Sequence, residues 1–443
     1  MRPIPVFAPG GRIPDRIRRS PDLAGTEALV ASARRRLAAR APVRAAAAAA
    51  RATGDALLLT GGAVRDAFLA SLRPDSRRAG GDLDVALPSG RALPFAETLA
   101  RRLGARAVAI GEPPRRILHV PVAGGEVDVW EREADAGRDL YRRDFTVNAL
   151  SFEIPSWRFL APSGALGDLA RRRLALPRPG VLLEDPLRVL RAARFLAELP
   201  GFRMDAKALP ELRRAARKLG EVAAERRLAE LDRILSAAPG GAGRALRFLE
   251  RCGALRALIP GSKARELRRG IGLVTRMTSP SPPVARSLLL SPLGARKARE
   301  ILQRWKTARR EQQLAARLLA LSATSSALRR SGPPTRRELV EILRFVSPFF
   351  EESVLFLLVR RDARSRRLAT ALAALSADPR RRERLLHPRR PLDAVAYLRG
   401  LGVPDGPRLG AALAALDLAL ASGELRGRPG AERLLGQLAP SRR

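Results

Sequence analysis

Short apolar runs alternate with polar segments in the first third of the chain, whereas later segments carry apolar residues at helical spacing. A continuous apolar run predicts a short buried strand at Ala56–Leu59. Further short strands are predicted around Asp82 and Asp84 and at Ala105–Ile110, Arg116–Val122 and Glu126–Trp130. The 3.6-residue period predicts helices at Thr26–Arg40, Pro42–Thr53 and Leu93–Leu103, and along most of the chain after Leu235. The pattern therefore predicts an α+β protein, in which a small mixed-sheet head of five strands precedes an all-α C-terminal half.

Candidate chemistry is concentrated between Leu57 and Leu87. An apolar run is followed by Gly61 and Gly62, which permit close approach of the backbone to a ligand. An amphipathic segment and a second strand follow, and this strand carries Asp82 and Asp84 on one face because they are two residues apart. Either feature alone is usually a plain turn or a solvated loop. Together they suggest phosphoryl transfer, with a glycine turn for phosphates and paired acids for divalent metal.

Charge narrows the choice of partner. The 443 residues carry a formal net charge of +39, and arginine is the source because only five lysines occur. Codon bias is an alternative source of arginine excess, but a charge of this size makes nucleic acid the first partner to consider. The single Cys252 excludes an intramolecular disulfide and favours a reducing compartment, which we take to be the cytoplasm. No 18-residue apolar run or signal-peptide core is present, so we expect no membrane association.

Three motifs give the chain a family resemblance. Gly61-Gly62-Ala63-Val64-Arg65-Asp66 followed by Asp82-Leu83-Asp84 resembles the head of the nucleotidyltransferase superfamily that contains tRNA CCA-adding enzymes and bacterial poly(A) polymerases. The second motif is Arg142-Arg143-Asp144, with Asn148-Ala149 shortly after it. The third is Glu184-Asp185-Pro186, followed by Arg188 and Arg191.

The resemblance implies a role for each motif. Asp82 and Asp84 would be catalytic and hold two Mg²⁺ ions, and Gly61, Gly62 and Arg65 would meet the nucleotide. Arg143, Asp144 and Asn148 would recognise the ribose and the triphosphate, since a planar guanidinium suits phosphate oxygens. Asp185 and Arg188 would read the incoming base with support from Glu184, and Arg191 lies on or near the same helix face.

A third carboxylate is expected on the strand Glu126–Trp130. Glu126 and Asp128 alternate with valines and share one face, so the local pattern does not decide between them. Exposed acids on an edge strand are the alternative reading. In the family this strand supplies a catalytic acid, and we select Asp128, with Glu126 as the alternative.

The resemblance implies a template-independent RNA nucleotidyltransferase that adds C, A or both from CTP and ATP to the 3′ end of tRNA and releases pyrophosphate. A poly(A) polymerase and an enzyme restricted to CC or A are alternatives within the class. A non-catalytic RNA-binding relative is the alternative of another class, although it would not need Asp82, Asp84, Asp144 and Asp185. The sequence does not indicate an oligomeric state.

Four regions follow from this interpretation. We expect a basic N-terminal arm at 1–45, with residues to about Ala24 poorly ordered because they are rich in Pro, Gly and Arg. A nucleotidyltransferase head would occupy 46–155 and a helical nucleotide-recognition region 156–265. A helical RNA-binding body and tail would occupy 266–443.

Overall fold

The computed structural model describes residues 6–7, 26–72, 82–111, 116–122, 125–132, 135–327 and 334–439, with the backbone alone at 6–7 and 323–327. These residues form two compact units. One unit runs to Val222 and includes Phe248–Leu258; the other contains Ala223–Arg247 and Ile259–Arg443. None of the helices in the described ranges is long and apolar enough to cross a membrane.

The first unit is built on a mixed sheet. Its strands are β1 (Val6–Phe7), β2 (Leu57–Thr60), β3 (Leu83–Pro88), β4 (Val108–Ile110), β5 (Ile117–Val122), β6 (Gly125–Arg132), β7 (Ser151–Ile154) and β8 (Arg158–Leu160). Over the described residues the strand order is β1-β8-β7-β2-β3-β6-β5-β4. Only the pairing of β3 with β6 is parallel among these strands. A parallel pair needs a crossover, and the helix after β3, together with β4 and β5, provides it.

Helices flank the sheet and continue beyond it. The first unit contains α1 (Thr26–Ala38), α2 (Ala41–Thr53), α3 (Gly62–Leu72), α4 (Ala92–Leu103), α5 (Ala136–Tyr141), α6 (Ala165–Ala170), α7 (Val181–Glu184), α8 (Arg188–Glu198) and α9 (Leu209–Arg217). A second, two-stranded sheet joins β9 (Arg173–Leu174) to β10 (Arg203–Met204). The remaining helices are α10 (Ala224–Leu235), α11 (Gly241–Arg251), α12 (Ala254–Leu258), α13 (Ala264–Thr275), α14 (Pro282–Leu290), α15 (Ala295–Arg304), α16 (Arg309–Ala327), α17 (Arg336–Val346), α18 (Phe350–Arg360), α19 (Ala363–Ser376), α20 (Pro379–Leu386), α21 (Ala394–Gly400), α22 (Pro407–Ser422) and α23 (Gly427–Leu438).

An aromatic cluster joins α3 to the sheet. The ring of Phe68 lies 5.9 Å from that of Phe152 and 5.3 Å from that of Phe159, and all three residues are almost fully buried. Such pairs stabilise a core by about 0.5–1.5 kcal/mol beyond the area they bury. The cluster packs α3 against the sheet, and the glycine turn immediately precedes that helix.

The second unit, which we call the helical unit, has an aliphatic core that contains a buried charge network. Leu343, Leu357 and Leu372 belong to a fully buried cluster that draws on several of its helices. Arg286 on α14 is 1% exposed and forms ion pairs with Asp232 and, at 2.7 Å, with Glu311. A buried guanidinium between two acids is compensated in charge, so it is compatible with a core of leucine and alanine.

The predicted fold class is confirmed, with differences in detail. The sheet has eight strands in the described residues, where the sequence pattern predicts five. The pattern misses β1, β7 and β8, which have two to four residues and give little periodic signal. The equally short β2 is predicted because it is a continuous apolar run, and β4 because it ends a longer predicted segment. The expected disorder before Ala24 concerns residues outside the described ranges, apart from β1.

Candidate active site

The glycine turn lies directly against an acid of β3. Gly61 has φ +77°, and a Cβ atom there would lie 2.2 Å from Oδ2 of Asp84. The next residue, Gly62, opens α3 and donates its backbone N–H to the Asp84 carboxylate. Glycine is required at position 61 for two reasons, since L side chains avoid this φ and no space exists for one.

The strand register brings four acids together on one face. Asp84 of β3 is the direct partner of Asp128 on the parallel strand β6. Asp82 accepts a hydrogen bond from the backbone N–H of Glu126 at 3.3 Å, so these two acids also lie at one level. The side chain of Asp128 is 20% exposed and that of Glu126 is 44% exposed. The arrangement therefore favours Asp128 as the third carboxylate, since it faces Asp84 and is the more enclosed.

A histidine that the sequence motifs do not indicate lies beside these acids. His119 on β5 is the direct antiparallel partner of Asp128. Its Nδ1 atom lies 2.5 Å from Oδ1 of Asp128 and 3.4 Å from Oε2 of Glu126. One donor atom from each of the three residues falls within 4.8 Å of the others. Sequence analysis could have placed His119 here only from the register of β5 with β6, and the sequence around this histidine does not reveal that register.

Burial and mutual repulsion raise the pKa of two of the acids. Desolvation raises the pKa of Asp84, and its backbone bond and the nearby Arg143 and Arg191 oppose that rise. Desolvation also raises the pKa of Asp128 to about 6; His119 opposes this, while Glu126, Asp84 and Asp82 add to it. Negative charge is crowded here away from water, which disfavours the ionised carboxylates, and a cation among these oxygens would relieve the repulsion.

The residues present fit a divalent metal. Asp82 and Asp84 offer only oxygen donors, the ligand type that Mg²⁺ prefers. The space against Asp84 is kept open by the missing side chain of Gly61. This acid cluster is therefore where the described part of the chain could hold such an ion.

A second group of residues forms a buried hydrogen-bonded chain. Arg65 Nη1 donates to Oδ1 of Asn148 at 2.9 Å, and Asn148 Nδ2 donates to Oδ1 of Asp144 at 3.0 Å. Arg191 Nε donates to Oδ2 of Asp144 at 2.8 Å. Burial tends to raise the pKa of Asp144, but Arg191 and Asn148 outweigh it and lower that pKa to about 2. Asp144 is therefore ionised throughout the physiological range.

Arg143 directly precedes Asp144 of the hydrogen-bonded group, and two contacts fix its guanidinium. It bonds to Asp139 at 2.7 Å, and its guanidinium lies 5.3 Å from the ring centre of Trp130 on β6. It also acts electrostatically on Asp84. A planar cation fixed near paired acids can meet the phosphates of a bound nucleotide, as the motif predicts.

The predicted base-reading residues surround the start of α8. Arg188 donates to the carbonyl oxygens of Val181, at 2.8 Å, and Arg142, at 2.7 Å, which ties α8 to the Arg-Arg-Asp segment. Glu184 pairs with Arg178 at 2.6 Å, a partner that sequence reasoning missed. Asp185 accepts from the backbone N–H of Leu187 at 3.2 Å and acts electrostatically on Arg188. A guanidinium has five N–H donors, so these bonds leave some available for a base.

The structure therefore gathers the predicted residues into three groups in the first unit. Asp82, Asp84 and Asp128 lie with Gly61 and Gly62, and Arg65, Asn148, Asp144 and Arg191 form the buried chain. Glu184, Asp185 and Arg188 lie at the start of α8. Arg143 and Arg191 connect the groups electrostatically, since both act on Asp84.

Comparisons with known proteins match the head of this chain to the family that the motifs resemble. Residues 57–175 match the family model of the poly A polymerase head domain. Over 183 residues the chain is 39% identical to a CC-adding tRNA nucleotidyltransferase of Synechocystis sp., which is 41% of this chain and 42% of that protein. Over 225 residues it is 33% identical to the Multifunctional CCA protein of Xanthomonas campestris, which is 46% of this chain and 50% of that protein. The chain thus spans half or less of the length of these curated relatives.

Solved structures extend the likeness beyond the head. The Thermotoga maritima CCA-adding enzyme complexed with tRNA has a TM-score of 0.64 at 18% identity, over 93% of this chain and 97% of that one. A CCA-adding enzyme with CTP has a TM-score of 0.66 at 18% identity, with the same two coverages. At this identity the likeness shows the fold. Together with the head matches, it confirms the predicted resemblance to tRNA nucleotidyltransferases and poly(A) polymerases.

Proposed function

We propose that this protein is a template-independent RNA nucleotidyltransferase that adds C and A from CTP and ATP to the 3′ end of tRNA. The observation that carries the proposal is the pairing of Asp84 with Asp128 across β3 and β6, directly beside the Gly61 turn. Relatives of the head are CC-adding and multifunctional CCA proteins, and neighbours of the fold are CCA-adding enzymes with tRNA, CTP and ATP.

Each group of residues contributes one part of the reaction. Asp82 and Asp84 would hold divalent ions, which we take to be Mg²⁺. When bound, such ions neutralise triphosphate charge and make the 3′-hydroxyl more acidic. The turn at Gly61 and Gly62 leaves its backbone open to phosphate oxygens. Arg143 binds the triphosphate, and Asp144 and Asn148 orient the ribose.

The reaction forms a bond between the RNA 3′ oxygen and the α-phosphorus of the incoming nucleotide. The bond from that phosphorus to the leaving pyrophosphate breaks. Asp128 is positioned to accept the hydroxyl proton, because its raised pKa brings it close to a useful range for a base. Asp185 and Arg188 select cytosine and adenine, since both bases present an amine beside a ring acceptor.

A narrower activity is the second candidate. Several relatives of the head are CC-adding tRNA nucleotidyltransferases, including those of Synechocystis sp. and Geobacter sulfurreducens. Addition of CC alone therefore has a specific observation in its favour. A poly(A) polymerase is a further alternative, since residues 57–175 match the family model of the poly A polymerase head domain.

One experiment separates these activities. Purified protein is given tRNA that lacks CCA, with CTP, ATP, UTP or GTP singly and with CTP and ATP together, and the RNA ends are sequenced. We expect CCA ends with the mixture, while CC ends alone would select the second candidate and long A tracts the polymerase. The Asp84→Asn variant is the control, and wild-type protein that adds nothing would contradict the whole proposal.

The remaining parts of the interpretation stay proposals. We place the protein in the cytoplasm, where tRNA is processed. The four regions 1–45, 46–155, 156–265 and 266–443 remain our division by role, with arm, head, nucleotide recognition and RNA-binding body and tail in that order.

A further inference from the structure

A cavity in the helical unit carries unusual charge. It has a volume of about 420 Å³ and is lined by four arginines and two serines: Arg268, Arg269, Arg276, Arg360, Ser291 and Ser322. Ligand-sized cavities are typically about 300–1,000 Å³ and mostly apolar. This cavity has the size for a nucleotide unit, but no carboxylate is among its lining residues. Its chemistry suits a polyanion.

The helix α13 builds one wall by its spacing. Arg268, Gly272 and Arg276 follow each other at intervals of four residues and so lie on one face, while Leu267, Ile271 and Val274 are buried on the other. A Cβ atom on Gly272 would meet nothing within 4 Å, so the floor between the two arginines is open. At Gly270, a Cβ atom would lie 2.2 Å from the Leu289 oxygen. This close approach of α13 to α14 brings the following turn, with Ser291, to the cavity.

Some arginines of this unit are paired with an acid within the protein, whereas the cavity arginines have less compensation. Arg390, for example, bonds to Asp417 at 2.7 Å. In contrast, neither Arg269 nor Arg276 has a carboxylate partner among the residues that the structure describes. Arg360 lies 3.6 Å from Asp362, and its Nε is buried without a hydrogen-bond acceptor in the described chain. The cavity thus holds several positive charges that have no full internal compensation.

We propose that this cavity binds the phosphodiester backbone of the RNA substrate, at a point on the helical unit. The inference rests on the proposed function for the identity of the RNA. Arginine forks match phosphate oxygens bidentately, and serine hydroxyls add neutral donors. The contact positions the RNA and reads no sequence, since no feature of the cavity distinguishes one base from another.

The test compares two double variants of the full chain with equal loss of charge. Arg269→Gln with Arg276→Gln alters the cavity. Arg296→Gln with Arg299→Gln alters two exposed arginines of α15 in the same unit, of which Arg296 is 95% exposed. Dissociation constants for tRNA lacking CCA are measured over a range of salt. We expect the cavity variant to bind about tenfold more weakly and its salt slope to fall by about one to two units, with little change in the control.

A second measurement locates the contact. Cys252 is the only cysteine and is buried, so Arg276→Cys can carry a photoactivated crosslinker, with Arg299→Cys as the control. We expect crosslinks from position 276 to a small set of adjacent nucleotides, and none of that kind from position 299. Equal effects of the two double variants, or equal crosslinking from both positions, would mean a general positive surface and would overturn the proposal.

The outcomes also separate other anions and the proposed function itself. If the cavity variant loses binding of pyrophosphate or ATP and keeps its RNA affinity, the cavity binds small anions and the proposal is wrong. Binding and crosslinking do not require nucleotide transfer. Failure of wild-type transfer with intact cavity effects would therefore count against the proposed function alone, and normal transfer without cavity effects against this inference alone.

Discussion

Gly61 and Asp84 approach so closely that no side chain fits between them: a Cβ atom on Gly61 would lie 2.2 Å from Oδ2 of Asp84. We predict that Gly61→Ala displaces this carboxylate, destabilises the protein by about 1–2 kcal/mol because φ is +77°, and lowers nucleotide addition at least about a hundredfold. The measurements are urea unfolding and single-nucleotide addition.

The neighbouring glycine is a matched control for stability. A Cβ atom on Gly62 would meet only Nη2 of Arg65, at 3.7 Å, which is an ordinary contact. Because Gly62 lies at the start of a helix and keeps its N–H, Gly62→Ala should unfold within about 1 kcal/mol of the wild type. Equal destabilisation by both substitutions would show that the approach of Gly61 to Asp84 is not the cause.

Paired amide substitutions can identify which acid of β6 is the third carboxylate of the proposed site. Asp128 faces Asp84 and is the more enclosed, so Asp128→Asn should lower addition about a hundredfold or more, and Glu126→Gln less than tenfold. Asp128→Asn should also raise the melting temperature without divalent ions, because it removes one charge from a repelling cluster, and lose that advantage when Mg²⁺ is added. A larger effect from Glu126→Gln would make Glu126 the third carboxylate.

The ion pair of Asp144 with Arg191 gives a pH-dependent contribution to stability. The folded-state pKa of Asp144 is lowered to about 2 from an ordinary 3.8, so its contribution is fully present above about pH 4 and is lost as the pH falls through 2. We predict that Asp144→Asn costs roughly 2 kcal/mol at pH 7 and pH 5 and about half as much at pH 3. Urea unfolding at the three pH values tests this.

The partner of Asp144 provides the control for that experiment. Arg191→Gln removes the cation and leaves the acid, so a double-mutant cycle should show coupling between the two positions. A cost for Asp144→Asn that does not change down to pH 3, with no coupling, would assign the effect to packing instead of charge.

Base selection should depend on Asp185 and Arg188. Leaving a polar group of the base unpaired costs about 1–3 kcal/mol, or roughly ten- to hundredfold per contact. The variant that carries both Asp185→Ala and Arg188→Ala should therefore add UTP and GTP as readily as CTP and ATP. The measurement is kcat/KM for each nucleotide. Arg188→Lys keeps the charge without the planar fork and should be intermediate. A double variant that stays strict for CTP and ATP would place selection elsewhere.

Local periodicity was sufficient for much of the site. Alternation alone puts Asp82 and Asp84 on one face of a strand, and the glycine pair marks the turn before α3. The resemblance then picked out Arg65, Asp144, Asn148 and Arg191, four residues that the structure joins in one hydrogen-bonded chain. Their catalytic roles stay predictions.

What the sequence could not supply is non-local. That Asp128 faces Asp84 depends on the register of two strands far apart in the chain, and a one-residue slip would turn the acids of one strand to the opposite face. The position of His119 follows from a second such register. The cavity at Arg269 and Arg276 depends on how helices meet, while the sequence shows only that arginines are frequent.

The parallel pairing of β3 with β6 also bears on the stage of folding at which Asp84 and Asp128 come together. Between these strands the chain must form α4, β4 and β5, and β6 pairs with β5 on its other edge. Closing so long a crossover costs chain entropy before the strand contacts offset it, so we expect this pairing to be a late step of folding. A growing or refolding chain should therefore have no assembled acid cluster until the sheet is nearly complete. Divalent ions that bind this site should slow unfolding and leave the folding rate almost unchanged.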